Sequence, residues 1–377
     1  MNILDIGFII LGLVILIAGG EALVRGASGL AARLGVPSLV IGLVIVSAST
    51  SAPELSVTIG AVLDNEPDLA VGNAVGSNIV NVLLILGLSA LILPLAVKRR
   101  LVRFDVPVMV GISVLLLLLA LDGEISQWDG ALLLAAATAH VVLSFTMSRG
   151  DSADQPGRSG GDDSAAPPRP RRKGLLYGVL LIVLGIGLLV VGARLLVTGA
   201  TNIAASLGVS SLIIGLTVVA VGTSLPELAT SIIAALRGER DIAVGNIVGS
   251  NIFNLGFVLG LPAVFFPAGI PVADAAIALD IPLMIAAAVA LVPIAFTGFA
   301  IKRWEGAVFV LLYIAYTVYL VLAATQHDAL SGFTLVMLYF MLPLLAVTLI
   351  AVTAYEMGVI RARRNYLQTN PPSTRST

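Results

Sequence analysis

The chain has 377 residues, of which 58% are hydrophobic and 11% are charged, with a net charge of −1 and a mean hydropathy of +1.05. Soluble domains carry about 25% charged residues, so this composition predicts a protein that crosses a membrane several times. The absence of cysteine and the presence of only two histidines exclude a disulfide framework, a thiolate or histidine-rich metal site and a cysteine nucleophile.

Eleven mostly apolar stretches follow one another along the chain, each of about 18 residues or more, which is enough to cross a hydrocarbon core of about 30 Å. We expect no cleavable signal peptide, because the first stretch lacks a basic start. The predicted transmembrane helices are residues 4–24, 37–62, 69–94, 104–121, 128–147, 175–198, 210–236, 242–266, 275–297, 304–324 and 332–356.

Residues 148–174 are hydrophilic, rich in Pro, Gly, Ser and charge, and are predicted to be a disordered linker. The linker separates a first five-helix repeat at residues 1–147 from a second at 175–324. Residues 325–377 are predicted to hold an additional transmembrane helix and a polar cytoplasmic tail.

The two halves share a long duplicated text. Residues 34–81 return at 207–254 with a constant offset of 173, and ten of the twelve residues at 70–81 are identical to those at 243–254. Two unrelated apolar helices would share Leu and Val, but not Pro-Glu-Leu and Gly-Ser-Asn in the same register. The sequence therefore contains an internal duplication.

Basic residues are confined to alternate loops. Of the 21 Lys and Arg residues, all except Arg194 follow odd-numbered helices. Cytoplasmic loops of membrane proteins are rich in basic residues. The bias therefore predicts a multi-pass protein of the cell (inner) membrane, with its N-terminus outside and its C-terminus in the cytoplasm. Five helices in each repeat is an odd number, so the two repeats are predicted to be inverted, as in many secondary transporters.

Each repeat places one carboxylate inside a predicted transmembrane helix, at Glu54 and at Glu227. The helices that carry the duplicated text contain no Lys or Arg to pair with them, and burying a carboxylate in mid-bilayer costs at least about 2.5–3.5 kcal/mol. Proline precedes each Glu and deprives a carbonyl four residues earlier of its helical partner. Hydroxyl and amide residues recur at helical spacing around the two carboxylates.

This all-oxygen set, without sulfur or imidazole, suits hard cations such as Ca²⁺ and Na⁺. We interpret His140 and His327 as incidental, and Asp105 and Asp280 as charges that favour helix starts.

The segments STSAPEL with GNAVGSNIVN, and GTSLPEL with GNIVGSNIFN, resemble the paired repeats of the cation/calcium antiporter superfamily, which includes the sodium/calcium exchangers. The resemblance implies a ten-helix inverted-repeat fold and a compact, prokaryotic exchanger-like protein. By position, it also implies a cation site whose ligands are the carboxylates of Glu54 and Glu227, the hydroxyls of Thr50, Ser51, Thr223, Ser224, Ser77 and Ser250, the amides of Asn81 and Asn254, and the carbonyls of Ser47 and Ala220.

The sequence departs from the family pattern in three ways. Ser49 stands where the family usually has Gly, and both repeats end in Asn where some members, including potassium-dependent ones, have Asp. The eleventh predicted helix is additional.

The function implied by the resemblance is alternating-access antiport of Na⁺ against Ca²⁺, with Ca²⁺/H⁺ antiport as the alternative. An intramembrane enzyme, the third hypothesis, would need a nucleophile, an Asp-rich metal–diphosphate motif or a His base, and none accompanies the carboxylates. The expected partners are the two ions and the lipid bilayer. No cofactor and no nucleic acid are expected, and the sequence identifies no protein partner.

Overall fold

The computed structural model describes residues 3–153, 172–209, 211–214, 217–218, 220–296 and 299–343, together with positions 347, 350, 354 and 358. The first repeat consists of α1 (Ile3–Leu34), α2 (Ser38–Thr50), α3 (Ala52–Leu63), α4 (Pro67–Ile92), strand β1 (Leu95–Ala96), α5 (Leu101–Asp122), strand β2 (Glu124–Ile125) and α6 (Gln127–Ala153).

The second repeat consists of α7 (Arg172–Ser206), α8 (Ser211–Ile214), α9 (Ala220–Thr223), α10 (Leu225–Leu236), α11 (Arg240–Phe265), strand β3 (Ile270–Pro271), α12 (Ala276–Ile294), strand β4 (Ala300–Ile301) and α13 (Arg303–Ala324). A final helix, α14, covers Ala329–Met341. The bounds of α10 and α11 equal those of α3 and α4 plus 173, so the duplication in sequence is also a duplication in structure.

Eight of the described helices are long and apolar enough to cross a membrane, or nine if α2 and α3 count as one span, and the chain is an integral membrane protein. The second predicted helix is in fact broken, because α2 and α3 meet at an angle of 42°. The break follows from Pro53, which cannot donate the helical hydrogen bond. Its counterpart, the predicted helix at 210–236, contains the three short helices α8, α9 and α10, with positions between them outside the described residues.

The first and sixth predicted helices pack against each other in antiparallel orientation. Glycines seven residues apart on α1, at 12, 19 and 26, face α7 near its glycines at 192, 185 and 178. A Cβ atom at Gly19 would lie 2.8 Å from the Leu189 nitrogen and 3.0 Å from the Gly185 carbonyl oxygen. Small residues let the two backbones touch, and the antiparallel packing of equivalent helices is the arrangement that inverted repeats require.

The short strands join the repeats symmetrically. β1 pairs with β4 and β2 pairs with β3, both antiparallel. Since β3 is the counterpart of β1 and β4 that of β2, each pair links one repeat to the other.

Two predicted segments are described only in part. The backbone of α6 is helical as far as Ala153 and that of α7 from Arg172, so both helices extend into the predicted linker, and the expected disorder at 154–171 lies outside the described residues. The additional C-terminal helix is described continuously only through residue 343, and its predicted span to 356 stays a prediction.

Candidate cation site

The two carboxylates lie in the first turns of broken helices near the centre of the protein. Glu54 is in the first turn of α3 and Glu227 in the first turn of α10, and neither side chain has any solvent exposure. The breaks fall at Ser51 and Ser224, whose ψ angles of 3° and 8° are not helical. Free N–H groups and the positive end of the helix dipole at these starts favour negative charge on the adjacent carboxylates.

Hydroxyl groups from both repeats converge on Glu227. The Ser51 hydroxyl donates to Glu227 Oε1 over 3.4 Å, and the Ser250 hydroxyl donates to the same atom over 3.5 Å. Thr50 Oγ1 lies 3.4 Å from Ser250 Oγ and donates to Asn246 Oδ1 over 3.1 Å. Residues about 200 positions apart in sequence therefore share one polar centre.

Many oxygen atoms of this centre have no hydrogen-bond partner within the described protein. Burying such an atom unpaired costs about 1–3 kcal/mol, and more if it is charged. A cation of the kind that takes about 6–8 oxygen ligands would satisfy several of them together. The unpartnered buried oxygens of the candidate ligands are Glu54 Oε1 and Oε2, Glu227 Oε2, Ser224 Oγ, Asn81 Oδ1 and Asn254 Oδ1.

The two asparagines are oriented by a crossed amide network that the sequence analysis did not identify. Asn81 Nδ2 donates to Asn251 Oδ1 over 3.1 Å, and Asn254 Nδ2 donates to Asn78 Oδ1 over 3.0 Å. Each amide nitrogen is thereby engaged in the opposite repeat. Asn81 and Asn254 also lie in π-helical segments, Val80–Leu86 and Asn254–Leu259, and such segments occur frequently at functional sites. The sequence feature that could have pointed to Asn78 and Asn251 is the Asn that ends each Gly-Ser-Asn motif.

A second pair of asparagines supports the broken helices. Asn73 Nδ2 donates to the Glu54 carbonyl over 3.0 Å and to Thr58 Oγ1 over 2.9 Å. In the other repeat, Asn246 Nδ2 donates to Ser231 Oγ over 3.1 Å. These bonds tie α3 to α4 and α10 to α11, and thereby hold the first turns that carry the carboxylates.

The remaining predicted ligands have different surroundings. Ser77 is buried and borders a cavity, whereas Thr223 is half-buried and borders two cavities. The Ser47 carbonyl accepts the Ser51 N–H over 2.9 Å, so it is engaged in this conformation. Ala220 begins α9 at the corresponding position, and there the Ser224 N–H donates to the Val221 carbonyl instead, over 3.1 Å.

The site is open on one side and closed on the other. A cavity of about 290 Å³, called here the open vestibule, reaches Ser77 and is bordered by Asp68, Gly72, Gly76 and Asp280. A Cβ atom at either glycine would have no neighbour within 4 Å, apart from local backbone. A second cavity, of about 520 Å³, lies beside Arg194, Thr198, Pro53 and Pro226.

The equivalent glycines of the second repeat are packed. Cβ atoms at Gly245 and Gly249 would lie 2.8 Å from the Leu39 carbonyl oxygen and 2.7 Å from Ser47 Oγ. The region of α11 around these glycines and the adjoining residues of α2 is called here the closed half.

The interpretation of His140 as incidental is wrong, whereas Asp105 does lie near the start of a helix, α5, as expected. His140 Nε2 lies 2.9 Å from Asp105 Oδ1, and both side chains are almost fully buried. The counterparts of these residues, Tyr316 and Asp280, form a hydrogen bond of 2.9 Å in the second repeat. This pair could not be predicted from the sequence, because the partners lie 35 residues apart on different helices.

Comparison with known proteins identifies the family to which the chain belongs. It matches the sodium/calcium exchanger protein family over residues 4–146 and 177–322. It is 38% identical to the putative antiporter CaxA of Alkalimonas amylolytica over 82% of this chain and 96% of that protein, and 33% identical to the sodium/calcium exchanger MaX1 of Methanosarcina acetivorans over 83% and 97%.

Among solved structures, it superposes on the sodium-calcium exchanger NCX_Mj, soaked with Na⁺ and Sr²⁺, with a TM-score of 0.71 and 31% identity, over 84% of this chain and 99% of that one. These relatives are transporters rather than enzymes. The chain therefore belongs to the sodium/calcium exchanger family, within the cation/calcium antiporter superfamily.

Proposed function

We propose that the chain is an antiporter that exchanges Na⁺ for Ca²⁺ by alternating access. The observation that carries the proposal is the set of buried oxygens without protein partners around Glu54 and Glu227. Two carboxylates surrounded by neutral hydroxyl and amide oxygens fit hard cations, and the described residues contain no cluster of three or more His, Cys, Asp or Glu. The names of MaX1 and NCX_Mj support Na⁺ and Ca²⁺ as the ions.

We assign the ligands to the twelve residues named from the resemblance. Glu54 and Glu227 supply the charge, and the hydroxyls and amides supply neutral oxygens. The Ser47 carbonyl accepts from the Ser51 N–H over 2.9 Å and from the Thr50 hydroxyl over 3.3 Å, so the Thr50 hydroxyl would have to turn away for this carbonyl to serve the ion.

Charge balance favours competition between the ions. The ionised pair contributes −2, which one Ca²⁺ or two Na⁺ would neutralise. A third Na⁺ would leave about +1, which surrounding carbonyls and hydroxyls tolerate, whereas adding Ca²⁺ to a site that holds three Na⁺ would leave about +3 in a low dielectric. We propose that more than two Na⁺ exchange for each Ca²⁺, so that transport is electrogenic. The Asn residues at 81 and 254, in place of Asp, argue against coupling to K⁺.

Flux in proteoliposomes tests the proposal. Vesicles loaded with Na⁺ should take up Ca²⁺ when diluted into Na⁺-free buffer, and a valinomycin-clamped potential should change the rate. Uptake driven by a proton gradient without Na⁺ would identify Ca²⁺/H⁺ antiport instead, and indifference to voltage would indicate exchange without net charge transfer.

We further propose that the N-terminus lies outside the cell membrane and the C-terminus in the cytoplasm, on the strength of the basic-residue bias. The open vestibule then faces outward. Because the chain has no cysteine, single cysteines replacing Asp64 and Ser152 provide a clean test. An impermeant maleimide should label Asp64→Cys in intact cells and Ser152→Cys only after lysis, whereas the reverse pattern would invert the topology.

A further inference from the structure

The two ends of the transport pathway carry equivalent acidic residues. Asp68 and Asp280 border the open vestibule, which reaches the candidate ligand Ser77. The residue equivalent to Asp68 in the second repeat, 173 positions later, is Asp241. The equivalent of Asp280 is Asp105, because both residues end five-residue π-helical segments, Leu101–Asp105 and Ala276–Asp280. Each end therefore has one acid at the start of a ligand-bearing helix and one on the helix that follows the ligand-bearing helix of the opposite repeat.

The acids of the closed half have basic partners, whereas those of the open vestibule do not. Asp241 is 2.5 Å from Lys98 Nζ, and Asp105 is 2.9 Å from His140 Nε2. Among the described residues, neither Asp68 nor Asp280 forms an ion pair, and Asp280 accepts a hydrogen bond from the neutral Tyr316 hydroxyl. Both acids are thus paired with Lys98 or His140 where the pathway is closed, and their equivalents have no such partner where it is open.

The two vestibules differ in the residues available as partners for these acids, as well as in conformation. Tyr316 occupies the position equivalent to His140, since α6 and α13 begin at residues 127 and 303, a shift of 176 that relates 140 to 316. The position equivalent to Lys98 is Ala273, by the shift of 175 that relates β1 to β3. Only one of the two vestibules can therefore pair its acids with these basic side chains.

We propose that Lys98 and His140 are gate residues that hold one vestibule closed by masking the acids that would otherwise attract cations into it. The proposal rests on the antiport function proposed above. When this half opens, as its counterpart is open here, Asp241 and Asp105 lose their partners and face the incoming cation.

Other charged groups near the pair are few. Arg100, which precedes α5, donates to the Ser144 carbonyl of α6 over 2.8 Å, one turn from His140. The ring of His140 stacks on Phe104 with centroids 5.8 Å apart. From α11, the ionisable residues are Arg240 and Asp241 at its start, and Asp241 is already paired with Lys98. On α12, the only ionisable residue is Asp280, which lies at the far end because α12 starts at the open vestibule.

Cysteine accessibility provides the test. Ile242 is fully buried in the closed half, whereas its counterpart Leu69 is 49% exposed in the open vestibule. In purified protein at one fixed pH, maleimide labelling of Ile242→Cys, taken relative to that of Leu69→Cys, should rise several-fold when Lys98→Ala or His140→Gln is introduced.

His140→Tyr, which copies the open half, should raise the labelling of Ile242→Cys in the same way, and His140→Gln replaces it if the Tyr variant does not fold. Tyr316→His should instead lower the labelling of Leu69→Cys, measured against an exposed cysteine at Glu124. Labelling of Ile242→Cys that neither Lys98→Ala nor His140→Gln changes would overturn the proposal. Labelling needs no ion gradient, so a failure of Na⁺-driven Ca²⁺ flux would refute the exchange function and leave this result standing.

Discussion

The two repeats have nearly the same sequence of candidate ligand residues, but these residues are packed differently in each repeat. Around Gly72 and Gly76 the first repeat leaves a cavity that reaches Ser77, whereas around Gly245 and Gly249 the second repeat packs α11 directly against α2. The residues within this stretch do not explain the difference, because ten of its twelve positions are identical in the two repeats. One sequence motif is thus compatible with an open and a closed arrangement, which is what alternating access between two faces requires.

The largest effect is expected from removing either carboxylate, which tests whether the two halves form one site. Glu54→Gln and Glu227→Gln keep shape and hydrogen-bonding capacity but remove a charge that the surrounding neutral oxygens cannot replace. Each variant should lose Ca²⁺ transport entirely in proteoliposomes while still inserting. Glu124→Gln, at an exposed carboxylate outside the site, serves as the control. Transport at the wild-type rate in either buried variant would refute a shared site.

Substituting equivalent glycines in the two repeats should separate effects on thermal stability from effects on the transport rate. Gly249→Ala places a Cβ atom against the Leu43 carbonyl and 2.7 Å from Ser47 Oγ, and overpacking of this kind costs about 1–3 kcal/mol. We expect a lower melting temperature in detergent together with slow transport.

Gly76→Ala meets open space in this conformation, so its melting temperature should be unchanged. If the halves exchange states, position 76 becomes the crowded one, and transport should still fall. A Gly76→Ala variant with full activity would show that the first repeat never adopts the packed arrangement.

A moderate effect is expected from the crossed asparagines. Asn78→Ala and Asn251→Ala each remove the acceptor that holds the amide of Asn254 or Asn81. Groups that orient metal ligands typically change affinity by about 10–100-fold. We therefore expect the KM for Ca²⁺ to rise roughly tenfold or more in each variant. An effect confined to one variant would mean that the two halves of the network contribute unequally.

The smallest effect is expected where α1 meets α7. Gly19→Ala would bring a Cβ atom to 2.8 Å from the Leu189 nitrogen, whereas Gly7→Ala on the same helix meets nothing within 4 Å. The first change should lower the melting temperature by a few degrees and the second should leave it unchanged. Equal melting temperatures would show that the helices adjust their spacing without cost.

The sequence by itself determined the membrane class, the duplication and the two carboxylates. The high share of apolar residues shows that the chain needs a lipid environment. The repeated register of Pro-Glu-Leu and Gly-Ser-Asn can be recognised without any knowledge of the fold. The antiparallel packing of α1 on α7 agrees with the inversion that the odd helix count predicts.

Only the tertiary structure decided which groups meet. The Asn81–Asn251 bond and the Asp105–His140 pair join residues on different helices, and helical periodicity places a side chain on a face without saying which helix lies opposite. The open and closed states of two nearly identical motifs lay equally beyond the sequence, because they depend on how α2 and its short counterparts pack against α11 and α4.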